Sequence, residues 1–516
     1  MDFDVLICGG SVIDGSGTRP AFRADVGING DRIAAIGSLS HCQAGVRLDA
    51  EGLTVCPGFI DVHVHSEIAL LTGEHRYAGL LQGVTTQFTG ADGFGWAPLP
   101  PVLGQQYWRY TLFAYAHPQL DVVRASPTAY LDLFTGRTPA NVVPQAPHGA
   151  IRLAVMGWEG RPADEDEIDR MRCILQAWLA AGAVGLSLGL EYQPGNAATT
   201  QELIELGREV AAAGGVISAH VRKNPLGRPV AWQELMTVGR SAGVPIHINH
   251  EFVTADIEPL LAKAAEYDLT FDSYVYPAGC THLALLLPVW AQLGDPAELA
   301  TRMQDPDFRR RAEADLDRAL AERLADGGRA VFVANQTGRY LGEDIADAAA
   351  REGRPLAEFA ADILVEEDPY ALMVMHHGGS AAELEAKMVR TLTHPLMLVS
   401  SDGIYHGTLG HPRGYGCFAR VLRRFVRELK AIDLVQAIYK MSGFTARRFG
   451  LRDRGQLKPG YAADVVVFSE TEVADHATWS QPWLPATGIR AVFVNGRPVV
   501  ENGQPTGELP GRVLKR

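Results

Sequence analysis

The sequence predicts an α/β protein, a (β/α)8 TIM barrel with a small β-sandwich domain formed from both termini. Three observations carry this. Apolar runs alternate with helix-period runs through the middle of the chain, both ends are rich in strand and turn signals, and the central apolar runs end in residues able to bind a metal or move a proton.

The N-terminal segment reads as strands broken by turns: DVLICGGSVID, ADVGINGDRIAAIG and GVRLDAEGLTVCPG. Gly9-Gly10 and Asn29-Gly30-Asp31 supply the tight turns. The C-terminal segment repeats the pattern in DVVVFSE and IRAVFVNGRPVVENG, with Asn495-Gly496 as a further hairpin turn. Paired, residues 1–56 and 456–516 make the sandwich and enclose a barrel of residues 57–455. Within the barrel, helix-period runs over Asp166 to Ala181, Thr200 to Ala213, Ala231 to Ala242 and Asp256 to Asp268 each lead into a short apolar run. Those runs are AVGLSLGLEY, GVISAHVRK, VPIHINHEF and LTFDSYVYPAG. Strands recur about every 30 residues, as in βαβ units of a parallel sheet.

What separates a closed barrel from an open sheet is where the polar residues fall. His63 and His65 follow GFIDV, Asp92 follows VTTQFTG, Glu191 follows GLSLGL, His220 follows GVISA, His250 follows VPIHIN, and Asp402 ends HPLMLVSSD. A barrel gathers all strand C-termini at one mouth, so residues far apart in sequence converge; an open sheet would string them along an edge. In PGFIDVHVHSE, period-2 spacing sends both His63 and His65 inward, an arrangement that needs a partner. Asp61 beneath them either orients a ring nitrogen or packs deeper in the barrel. Asp402 is by type a turn former, and its place after an apolar strand makes it a ligand or general base. His247, His282, His376 and His377 are read as hydrogen-bonded core residues. Imidazoles mixed with carboxylates suit a divalent transition metal, Zn²⁺ first, with one or two ions per subunit. Such a site acidifies a bound water and polarises a carbonyl, which implies hydrolysis.

Composition excludes other classes. The net charge of −13 over 516 residues, with no Lys/Arg cluster, argues against nucleic-acid or anionic-membrane partners. Met1 opens directly into DFDVLICGG without a signal-peptide pattern, and no run approaches the ~18 apolar residues of a membrane span, so the cytoplasm is the expected location. Cys8, Cys42, Cys56, Cys173, Cys280 and Cys417 lack CxxC spacing and read as reduced thiols. Oligomeric state is not legible.

With those residues in hand, the chain resembles the amidohydrolase superfamily and, within it, the N-acyl-D-amino-acid deacylases (D-aminoacylases). The resemblance runs nearly end to end: PGFIDVHVH, GVTTQFTG, GAVGLSLGLEYQP, GGVISAHVRK, SYVYPAGCT, SSDG, HPRGYGCFARVL, DRGQLKPGYAADVVVF and VFVNGRPVVENGQPTGELPGRVL. It implies His63 and His65 as first-strand ligands, His220 and His250 as fifth- and sixth-strand ligands, and Asp402 as an eighth-strand carboxylate that is general base and then acid. It also implies Arg413 as partner of a substrate carboxylate, with Tyr192 and Tyr274 as substrate contacts. The long stretch between Tyr276 and Asp402 resembles the family's active-site cover, placed at about 283–390.

Five residues depart from the family. Asp92 stands where the deacylases place a cysteine ligand, and is expected to replace it as ligand or bridge to a second ion. Glu191 replaces a small apolar residue and is read as a metal bridge or a substrate contact. Glu251 and Phe252 occupy the site of a family lysine, and Cys280 that of a serine. The leading expectation is hydrolysis of the amide of an N-acyl amino acid, of D configuration, by metal-activated water. The alternatives are a hydrolase of a hydantoin-like cyclic amide or a heterocycle deaminase, and a scaffold that has lost the chemistry.

Overall fold

Parallel strands form at the central apolar runs and follow one another around a barrel in the computed structural model, which describes residues 2–115, 121–224, 226–367 and 371–516. The barrel strands are Phe59–Asp61, Val84–Thr89, Asn141–Pro144 continued by Ala146–Pro147, Gly185–Gly189, Val216–His220, Ile246–Ile248, Leu269–Ser273 and Met397–Val399. Neighbours pair in parallel register, and at Gln145 the third strand passes from pairing with the second to pairing with the fourth. The last and first strands meet beyond their ends: the Asp402 N–H donates to the His63 carbonyl at 2.8 Å, and the His65 N–H to that of Gly403 at 2.9 Å. Closing the barrel and placing His63, His65 and Asp402 side by side are therefore one event.

The helices start where side chains satisfy their free N–H groups. Asp164 and Glu167 form a reciprocal capping box at the start of Glu165–Ala181, and Thr199 caps Thr200–Ala212 through the Glu202 N–H. The run 256–268 is not one helix. It breaks into Glu258–Leu261 and a 3₁₀ turn, Ala264–Glu266, because Leu260, Leu261 and Ala264 reach the core from two short turns.

Both chain ends build one nine-stranded sheet. Its central strand, Phe3–Val12, bends where its register with Phe22–Asn29 shifts between Ile7 and Gly10. Its first half pairs with Ala44–Asp49 and its second half with Thr54–Pro57, so the sheet folds around a core that includes Ile7, Val26, Val55, Val465 and Phe493. A further antiparallel sheet of Ala278–His282, Arg329–Ala334 and Leu372–His376 belongs to the segment before the eighth strand, which has its own apolar core around Leu316, Phe332, Phe359 and Met373. This sheet begins at Ala278, and helix Ala381–Thr393 already packs on the eighth barrel strand. Among the described residues no helix is long and apolar enough to cross a membrane.

Candidate metal centre and active site

The strand ends converge as a barrel requires, and three of the converging residues do so on unusual backbone. Asp92, His250 and Asp402 have φ values of 54°, 43° and 47°, in the left-handed region that costs a non-glycine residue free energy unless its surroundings hold it there. Each sits just past a strand end, so the left-handed turn swings its side chain inward. The turn at Asp92 also needs Gly189 opposite, where a Cβ would stand 2.0 Å from the Asp92 carbonyl oxygen.

Asp92 is the hub. Its Oδ1 lies 3.5 Å from His63 Nε2 and 3.7 Å from His250 Nε2; its Oδ2 lies 3.6 Å from His65 Nε2 and 3.8 Å from His220 Nδ1. Asp402 Oδ1 stands 3.6 Å from His63 Nε2 and 3.5 Å from His65 Nε2. These separations are too long for hydrogen bonds, yet about what two donors must have when each is about 2.1 Å from one ion. Among the described residues, His63 Nε2 and Asp92 Oδ1 are buried without any hydrogen-bond partner, a costly arrangement unless a cation answers it. His63, Asp92 and His250 form one group able to hold an ion, and His63, His65 and Asp402 a second. The donor set thus fits one or two divalent ions. His220 joins it through His250, with 2.9 Å between His220 Nδ1 and His250 Nε2.

Electrostatics agree with that chemistry. Burial pulls the His63 imidazole down to about 4, against Asp92 and Asp402, which leaves its lone pair free. Burial opposes a charge on His65 as well, but Asp402 and Asp92 outweigh it and raise the ring to about 9. A divalent ion held at that ring would have to displace the proton. Burial pushes Asp92 and Asp402 up; the histidines around Asp92, and Arg413 with His65 and His250 around Asp402, hold both well below the usual carboxylate range.

An outer layer fixes these side chains. Asp272 accepts from the His250 backbone N–H at 3.1 Å and from Ser400, and bonds His247 Nε2 at 2.9 Å. Tyr115 OH meets His65 Nδ1 at 3.0 Å. Neither partner was legible in the sequence, because both contacts join segments distant along the chain. Asp61 orients no ring nitrogen: it accepts from the Ser401 N–H at 2.9 Å and from its hydroxyl, tying the first strand to the turn that carries Asp402. Among the described residues, His247, His282, His376 and His377 lie outside the ligand groups; His247 bonds Thr270 and Asp272.

Glu191 lies outside the four-histidine cluster, with Oε2 2.6 Å from His220 Nε2 and Oε1 accepting from the Asn224 N–H at 2.7 Å. Accepting from Nε2 fixes the proton there and turns the Nδ1 lone pair toward Asp92 and His250. Glu191→Gln is therefore expected to weaken metal affinity about 10- to 100-fold, read by competition with a chelating dye. An unchanged dissociation constant would remove this role.

Arg413 is fully buried at the start of helix Arg413–Arg420. Its Nη2 forms an ion pair with Asp402 Oδ2 at 2.8 Å, and its guanidinium lies 4.4 Å from the centre of the Tyr274 ring, but among the described residues none of its nitrogens has an aligned hydrogen bond. Tyr192 packs its ring 4.9 Å from that of His220. Cys280 is half-buried near Arg413 and Asp402, and desolvation first, with Asp402, lifts its thiol to about 12, so it is neutral. Glu251 lies 2.7 Å from both Lys223 Nζ and Arg228 Nη2; burial opposes its charge, yet these cations hold it down to about 2. Phe252 packs against the Tyr274 ring at 5.5 Å.

The chain matches the family model described as the amidohydrolase family over residues 47–500. It is 35% identical to a D-aminoacylase of Alcaligenes xylosoxydans xylosoxydans, across 100% of this chain and 98% of the relative. Among solved structures, a D-aminoacylase described with a binuclear metal center superposes with TM-score 0.80 and 32% identity, covering 100% of both chains. An N-acyl-D-glutamate deacylase from Bordetella bronchiseptica, complexed with zinc and a phosphonate mimic of the tetrahedral intermediate, gives TM-score 0.83 and 32% identity, again over 100% of both. An L-hydantoinase from Arthrobacter aurescens matches with TM-score 0.58 at 14% identity, which shows a shared fold and nothing finer.

Proposed function

The chain belongs to the amidohydrolase family and is a metal-dependent amidohydrolase, and from that premise we propose that it hydrolyses N-acyl-D-amino acids, with Asp402 as base and acid and Arg413 holding the substrate carboxylate. The observation that carries this reading is the buried Arg413 guanidinium, short of hydrogen-bond acceptors and one ion pair away from Asp402. A buried cation with unanswered donors calls for an anion, and an α-carboxylate fits its planar fork. Tyr274 flanks that position and Tyr192 flanks His220.

His63, His65, Asp92, His220, His250 and Asp402 would hold the metal, zinc by the relatives' example. A divalent ion so held supplies an acidified water and a polarised carbonyl. Asp402 accepts the proton of the attacking water and returns it to the departing nitrogen, so one carboxylate serves both halves of the reaction. With Lys223 and Arg228 held by Glu251, no free cation is offered there to an acidic side chain, which favours substrates with neutral ones. The cytoplasmic location and the role of residues 283–390 as a cover belong to the same reading; six free cysteines support the first, and Asn335 and Gln336, which share a cavity wall with His65, the second.

Metal-loaded protein incubated with matched N-acetyl-D- and N-acetyl-L-amino acids is expected to release acetate from the D series. Ring opening or ammonia release from cyclic amides or heterocycles, with no acyl release, would overturn the reading. Arg413→Ala is expected to raise KM about 100-fold, the equivalent of losing about 3 kcal/mol of charge-assisted hydrogen bonding. Steady-state kinetics would show otherwise if KM held and only kcat fell.

A further inference from the structure

A cavity of about 580 Å³ adjoins the centre on the side of His65. His65 and Tyr115 line it, with Ile68 and Leu112 among its apolar residues and Asn335 and Gln336 among its polar ones. Among the described residues the lining contains no lysine or arginine, and its one carboxylate, Glu74, is exposed. Burial pulls His406, which also lines it, down to about 4, so that ring adds no positive charge.

The position of this space relative to Asp402 decides what enters it. Asp402 turns Oδ2 to Arg413 at 2.8 Å and Oδ1 to His65 at 3.5 Å, so the carboxylate anchor and His65, through which the cavity adjoins the centre, lie off different oxygens of one side chain. In an N-acyl amino acid the carboxylate and the acyl group also lie on opposite sides of the scissile C–N bond. With the carboxylate on Arg413 and the amide at Asp402, the acyl group is the part directed past His65. An acetyl group would leave most of such a volume empty, whereas pockets of this size normally enclose a whole apolar group.

Resting on the reading of the chain as an N-acyl-D-amino-acid deacylase, we propose that this cavity is an acyl subsite for bulky uncharged acyl groups, either aromatic or medium-chain aliphatic. Acidic acyl groups find no lysine or arginine among the described lining residues. The substrates are then D-amino acids carrying such an acyl group, with acetyl derivatives as poor relatives.

The test compares N-acetyl, N-hexanoyl and N-phenylacetyl derivatives of one D-amino acid, and in a second arm N-acetyl derivatives of D-amino acids of increasing side-chain size. Ala69→Trp and Thr72→Trp fill the cavity from a position outside the metal and carboxylate machinery. The expected result is a kcat/KM at least about tenfold higher for the larger acyl groups, since each buried methylene is worth about fourfold. Either filling variant should abolish that gain while N-acetyl hydrolysis stays within about twofold, which also shows that the variant folds. The proposal is overturned if acyl size brings no gain, if the gain survives both filling variants, or if the variants suppress a side-chain preference instead. Hydrolysis of the N-acetyl substrate in those cases leaves the parent reading standing; absence of hydrolysis from every D derivative removes the parent reading itself.

Discussion

Asp402→Asn is expected to lower kcat by about 10³-fold while KM changes little, because the amide keeps the shape and one acceptor oxygen but loses the site that takes and returns the proton. The carboxylate is well placed for that task. Its backbone N–H is bonded to the His63 carbonyl, its Oδ1 faces His63 and His65, and Arg413 holds it ionised against a burial that favours the neutral form. Metal content measured on the same preparation separates a lost base from a lost ion, since the His63, Asp92 and His250 group does not contain Asp402. A variant with full metal content and kcat within tenfold of the parent would assign the proton transfer to another group.

Asp92→Ala is expected to cost more than about 100-fold in metal affinity, beyond what loss of an outer partner costs, and to abolish activity with it. Its two oxygens are the groups lying between the imidazoles: one faces His63 and His250, the other His65 and His220, all at 3.5–3.8 Å. Removing them leaves four rings converging without a bridging anion. Asp92→Cys should retain metal but change its preference, because a thiolate favours soft zinc over harder ions such as manganese. Elemental analysis after dialysis, with zinc and manganese offered in competition, reads both variants. If Asp92→Ala keeps the parental stoichiometry, the carboxylate is not the hub of the centre.

Much of this molecule was written along the chain. The alternation of apolar and helical runs specified parallel βαβ units, and chemistry-bearing residues at the run ends pointed to a closed barrel. The turn-rich ends specified a sheet drawn from both termini, and the end-to-end motifs specified the amidohydrolase family and its metal dependence. These features are legible because period 2, period 3.6 and turn chemistry are local, and so are His63 and His65 as an inward pair. What tertiary structure alone decided is the relation between distant segments. Left-handed backbone at Asp92, His250 and Asp402 turns three side chains to a common point, and Gly189 makes room for one of those turns. Glu191 falls on the outer nitrogen of His220, Asp61 on Ser401, and Tyr115 on His65. The cavity beside His65 draws on residues from 65 to 407. No sequence window contains both members of such a contact; barrel closure brings them within bonding distance, and only there does one carboxylate come to face four imidazoles, another a ring nitrogen and a third a serine.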